Sequence, residues 1–255
     1  MRRKLLLSVA VVASMMMVLS PAAVEANHSW GGYHWARTSN PFTLTLADNV
    51  DSRWDAVLRT TSTDWTASSV LNTTVVAGTN KPKTCKATSG RVEVCNARYG
   101  RNGWLGIASI SITGGTHITS GTVKLNDSYF DTAAYNTTAW RNLVSCQEVG
   151  HTFGLDHQDE NFSNANLNTC MDYTNNPATN QHPNAHDYAQ LEAIYAHLDS
   201  TNTVGATTAS APARVGNDPS SWGRLVSGSR SHGQATFVRG FGGGQIVVTH
   251  VTWAS

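Results

Sequence analysis

Residues 146–157, CQEVGHTFGLDH, decide how this chain reads. In the segment that leads into them, Trp140, Leu143, Val144, Gln147 and His151 recur at helical offsets. That spacing predicts one amphipathic helix with Gln147 and His151 on the same face. Gly154 is expected to stop it in the left-handed conformation common after a helix C-terminus. Side chains four apart on a helix are neighbours, so Gln147 and His151 can converge on one ion. Glu148 stands one step round, where a carboxylate can act as general base on a metal-bound water without entering the coordination shell. The turn at Gly154 lets His157 swing back as a third ligand. Zinc suits such a set, because it accepts imidazole nitrogen and keeps a position open for water. An isolated E-x-x-H arises often by chance; here it is joined to a turn glycine and a second histidine.

With those residues in view, QEVGHTFGLDH resembles the metzincin zinc signature HExxHxxGxxH, with Gln147 in place of the first histidine. TCMDY (169–173) resembles the methionine turn of that family, with Met171 as a sulfur floor under the metal. Tyr173 matches a tyrosine found near the metal in astacin-like and serralysin-like members. HTFGLDH is most similar to matrixin-type bacterial peptidases. The resemblance spans roughly residues 42–200 in element order, but its specific motifs are confined to 147–157 and 170–173. It implies an α+β fold: a twisted mixed β-sheet with an active-site helix and a C-terminal helix. It also implies an edge strand that takes peptide substrate by strand addition. GWLGIASI (103–110) is the candidate, with an ordinary buried strand as an equal rival. By the same resemblance the chain is a zinc-dependent endopeptidase acting on protein or peptide substrates. His151 and His157 are then zinc ligands, Glu148 is the catalytic base, and Tyr173 stabilises the oxyanion.

Gln147 admits three readings. Its amide oxygen is the third ligand, a harder and weaker donor than imidazole; this is the favoured reading. Alternatively another group, Tyr173, His182 or His186, takes that place. Or the site is degenerate and the protein is a secreted module that binds peptides without cutting them. A further alternative gives the Asn- and Asp-rich loop at 158–180 a structural calcium ion in an exoprotein.

The rest of the chain frames the site. Arg2, Arg3 and Lys4, an apolar run over 5–19 and small residues before position 26 read as a signal peptide over 1–26. A secreted, extracellular protein without a membrane span in its mature form is expected. The chain carries 18 basic and 17 acidic residues, and 15 against 16 once that peptide is removed. So even a balance argues against a nucleic-acid partner. Four cysteines, Cys85, Cys95, Cys146 and Cys170, read as two disulfides in an exported chain. Of the three pairings, proximity in sequence favours 85–95 and 146–170. Strands are expected over 42–50, 70–78, 90–97, 103–112 and 121–130, and helices over 52–68 and 184–200. Residues 27–200 form the expected catalytic domain, 201–221 a linker, and 222–255 a small C-terminal β appendage. A monomer is the default expectation.

Overall fold

A computed structural model describes residues 28–207 and 212–254. The expected signal peptide lies outside the described residues, as does part of the expected linker. After a short strand β1 (His34–Trp35), β2 (Phe42–Asn49) leads to α1 (Asp55–Thr66) and β3 (Leu71–Ala77). Next come β4 (Val92–Ala97), β5 (Trp104–Thr113), β6 (His117–Asn126), the single turn α2 (Asp127–Phe130) and α3 (Thr138–His151). A long loop then reaches α4 (Ala185–Ile194), and β7 (Arg224–Ser229), β8 (Gln234–Gly242) and β9 (Gln245–Trp253) end the chain. The fold is α+β, as expected.

One mixed sheet holds all of it, in the order β3-β2-β4-β6-β5-β9-β8-β7, with β1 alongside β6. The first half is parallel, through β3, β2, β4 and β6. From β6 onward every pairing is antiparallel. Two expectations are corrected here. GWLGIASI is not at an edge: β5 pairs with β6 on one side and with β9 along its whole length on the other. Its near-continuous burial is the signature of a strand covered on both faces. Nor is the C-terminal segment an appendage. β9 is an internal strand of the main sheet, and Trp222, Ala235, Val251 and Trp253 share an apolar cluster with Tyr99, Trp104 and Ile107. A three-stranded segment has too little apolar area to stand alone, and joining the ladder of β5 supplies it.

Helix α3 lies across β5 and β6, with α1 packed beside it. Thr137 caps its start, accepting from the Trp140 N–H. Thr61 of α1 hydrogen-bonds Ser145 at 2.8 Å, and the Trp65 indole donates to the Cys146 carbonyl at 3.1 Å. Two glycines let the site form. A Cβ on Gly106 of β5 would stand 2.6 Å from Glu148 Oε1 and from Val144, so only glycine admits the helix so close. Gly154 takes a φ of +95° after α3 and turns the chain back. Both disulfides favoured by proximity form, Cys85–Cys95 and Cys146–Cys170. The second ties α3 to the loop that carries Met171. Helix α4 begins with the Asn184–Asp187 capping box but stops at Ile194, short of the expected 200. Leu198, beyond the end of the helix, is exposed.

Candidate metal centre

Helical periodicity places Gln147, Glu148 and His151 side by side at the end of α3, all buried. The turn at Gly154 returns His157 to them, with its ring centroid 4.5 Å from that of His151. A third histidine arrives from the other end of the chain. His250 of β9 lies 4.0 Å from the His151 ring and 4.7 Å from the His157 ring. One ligand atom from each of these three lies within 4.8 Å of the other two. Trp30 stacks flat on His151 at 4.7 Å and closes the cluster from the N-terminal side.

Hydrogen bonding decides what the cluster offers. His151 Nδ1 lies 2.9 Å from the Leu155 carbonyl, which can only accept, so that nitrogen carries the proton and Nε2 keeps its lone pair. This is the usual way a supporting carbonyl orients a metal-binding imidazole. Nε2 of His151 and both ring nitrogens of His157 are buried without a hydrogen-bond partner. Buried polar atoms seldom remain unpaired, and two aimed into one cluster fit a cation of the zinc type. Burial, reinforced by mutual repulsion, holds the His151 and His157 imidazoles well below their ordinary pKa. Burial also lowers His250 to about 3. Neutral rings are the ligating form. His250 Nε2 meets Gln234 Oε1 at 3.0 Å, and its Nδ1 meets Glu148 Oε2 at 3.3 Å.

Glu148 has no solvent exposure. Desolvation pushes its carboxyl up to about 7, against the opposing pull of His151, the Thr252 hydroxyl and the Ala108 backbone. The Thr252 hydroxyl donates to Glu148 Oε1 at 2.6 Å. Gln147 faces elsewhere. Its Nε2 donates to the Cys170 carbonyl at 2.9 Å. Its Oε1 is 3.0 Å from the Thr252 hydroxyl and 3.2 Å from Gln234 Nε2. The amide oxygen expected on the metal thus accepts from Gln234 of the C-terminal strands, and His250 is the third histidine of the cluster. Tyr173 lies against the His157 ring at 4.4 Å, and burial raises its phenol above the ordinary value. Met171 is buried beneath α3. The other two candidates stand apart: His182 Nδ1 is 2.7 Å from Asp64, and His186 stacks on His28. In the 158–180 loop, Asp172 Oδ2 accepts from Leu167 and Asn180. Asp156 and Glu160 flank His157 in a second group of possible ligands.

His250 and Trp30 were absent from the sequence-based site. The one available signal is a lone histidine in the apolar strand QIVVTHVTW, whose alternation puts Val248, His250 and Thr252 on one face.

No family model and no curated protein matches this chain. Among solved structures, myroilysin overlaps at a TM-score of 0.39 and 11% identity, over 67% of this chain and 99% of its own. A hatching enzyme zinc-protease from Oryzias latipes (Medaka fish), high choriolytic enzyme 1, overlaps at 0.35 and 10%, over 68% of this chain and 99% of its own. Overlaps this loose and identities this low leave the reading of the site to its own geometry.

Proposed function

We propose that this chain is a secreted zinc-dependent peptidase, held closed in the conformation described here by its own strand β9. His151, His157 and His250 would hold the ion, and Glu148 is the carboxylate that takes and returns a proton. When bound, zinc supplies Lewis acidity and lowers the pKa of a coordinated water. The observation that carries the proposal is the buried cluster of His151, His157 and His250, in which the Nε2 atoms of His151 and His157 have no hydrogen-bond partner. Desolvation supports the proton-handling role, because a carboxyl near neutrality both accepts and releases a proton at working pH. Tyr173, kept protonated by burial, can donate a hydrogen bond to charge developing beside His157.

The closed state follows from pairing. Strand addition to β5 is how an extended peptide would reach this helix, and β9 fills that position antiparallel. Its Thr252 occupies Glu148, and its His250 joins the histidines. When β9 leaves β5 and takes β8 with it, Gln147 Oε1 loses the Gln234 amide that donates to it and becomes available to the same ion. Gln147 is therefore a proposed ligand of the open form, and a tether for the C-terminal strands in the closed one. The substrates are proteins or peptides in extended form, met outside the cell by a monomer after loss of residues 1–26. The two disulfides support this reading. No helix among the described residues is long and apolar enough to cross a membrane.

The test uses the purified mature chain loaded with zinc and an unfolded protein substrate. Cleavage that stops with a chelator and is lost in Glu148→Gln, while zinc at the buried site is retained, is the expected outcome. A chain that holds no metal at this site, or cuts equally well with Glu148→Gln, contradicts the proposal.

A further inference from the structure

Away from α3, a separate group of ligating atoms lies where the N-terminal strand, the β5–β6 turn and the chain after α4 meet. Parallel register pairs His34 of β1 with His117 at the start of β6, which sets the two imidazoles side by side. After α4 the chain returns past them. The Asp199 N–H donates to the Arg37 carbonyl at 2.9 Å, and Thr203 N–H to the Ala36 carbonyl at 2.8 Å. His197 and Asp199 are thereby carried to the same spot. None of these four residues takes part in the buried site on α3.

The distances have the scale of a coordination shell. Asp199 Oδ1 is 3.4 Å from His34 Nε2, 3.2 Å from His117 Nε2 and 3.7 Å from His197 Nε2. His197 Nε2 is 3.2 Å from His34 Nε2. Ligands about 2.0–2.1 Å from a tetrahedral zinc ion stand about 3.3–3.4 Å from one another. The supporting contacts point the same way. His34 Nδ1 is 2.7 Å from the Gly32 carbonyl, which can only accept. Nδ1 therefore carries a proton, and in the neutral ring Nε2 presents a lone pair. That lone pair faces a carboxylate oxygen on one side and a second imidazole nitrogen on the other. The His34 lone pair and the Asp199 oxygen are both acceptors, and either a proton on His197 or a cation satisfies them. The second oxygen of Asp199 is held by Arg37, through its Nη1 at 2.8 Å and its backbone N–H at 3.2 Å. Oδ1 is left to the histidines. Arg37 is itself buried and anchored on the Tyr195 and His197 carbonyls, so the carboxylate is fixed in place.

We infer that His34, His197 and Asp199 form a second zinc-type site that clips the N-terminal strand to the chain following α4, with His117 outside the shell and against Asp199 Oδ1. Two imidazoles and one carboxylate select a borderline ion over calcium or magnesium, which prefer all-oxygen shells. Three protein atoms hold the ion and leave the fourth position to water, and the ion's place between two distant segments makes it a clip. A proton shared among the same atoms is the competing arrangement, and the test separates the two.

The full-length mature chain is stripped with a chelator, dialysed against zinc chloride alone, and its bound zinc counted. His197 is 54% exposed, so His197→Ala removes a ligand without opening the core. The expected result is one equivalent fewer in His197→Ala than in the wild type, with the same circular dichroism. Asp199→Asn provides the second arm: zinc raises the thermal midpoint of the wild type by several degrees, and that rise shrinks in both variants. Cobalt in place of zinc should show the intense visible bands of four-coordinate geometry, lost in His197→Ala. Equal zinc counts and equal thermal shifts in wild type and both variants overturn the inference and leave the shared proton. The outcome is separate from that of the α3 site, because the wild type then starts from one equivalent or two while the difference stays one.

Discussion

At the scale of single residues, close packing around α3 sets the first expectation. Gly106 has no room for a methyl group, since Glu148 Oε1 and Val144 would both lie 2.6 Å from it. Gly106→Ala is expected to lower stability by about 1–3 kcal/mol, the usual cost of overpacking a filled core. It should also displace Glu148, so the urea midpoint and the cleavage rate fall together. A variant with unchanged urea midpoint would mean that α3 is free to shift. Lys124 gives a pH-dependent expectation. Burial lowers its ammonium to about 8, and its Nζ reaches Asn217 Oδ1 at 2.7 Å. The unfolded chain binds this proton up to a pKa of about 10.4. Below pH 8 the cost of burying the charge is fully present, and it is relieved as pH rises from about 8 to about 10.4. Lys124→Met should therefore raise stability at pH 7 by about 2–3 kcal/mol and flatten the dependence in that window. Thermal melts at pH 7 and pH 10 measure both effects. A variant less stable than the wild type at pH 7 would show that the hydrogen bond to Asn217 outweighs the desolvation.

At the scale of elements, what could be read in advance divides along local and long-range lines. Helix α3 was legible because its stripe of Trp140, Leu143, Val144, Gln147 and His151 is a local pattern, and Gly154 a local stop. The return of His157 needed only that turn, and the Cys146–Cys170 bridge only nearness in sequence. Strand β5 was legible as a strand but not as an internal one. An apolar run such as WLGIASISIT states that both faces are covered without naming what lies along each edge. Its partner β9 lies more than 100 residues away, and no local periodicity encodes that pairing. His250 was missed for that reason, and so was the junction of His34, His117, His197 and Asp199. The same pairing yields a prediction. Val251 of β9 is buried and matched to Ile107 of β5. A proline there removes a ladder donor from an internal strand. Val251→Pro should loosen β9 and raise the rate of peptide cleavage several-fold over the full-length chain. Slower cleavage by a variant that still binds zinc at the buried site would show that β9 belongs to the working site rather than closing it.

At the scale of the whole molecule, the two ends of the chain converge on the middle. Trp30 and His250 reach the α3 site from opposite termini, while Arg37 and Asp199 close the other side of the domain. The C-terminal strands thus extend the sheet past β5 and bring a third imidazole to the cluster. The central claim is that His250, rather than Gln147, completes the metal set in this closed form. Zinc affinity of the buried site tests it most directly, measured by competition with a chromophoric chelator in a His197→Ala background that leaves this site alone. His250→Ala should weaken zinc by more than the roughly 10–100-fold typical of losing a supporting group, and Gln147→Ala by no more than that. The reverse order, with Gln147→Ala abolishing zinc and His250→Ala leaving it bound, would contradict the account.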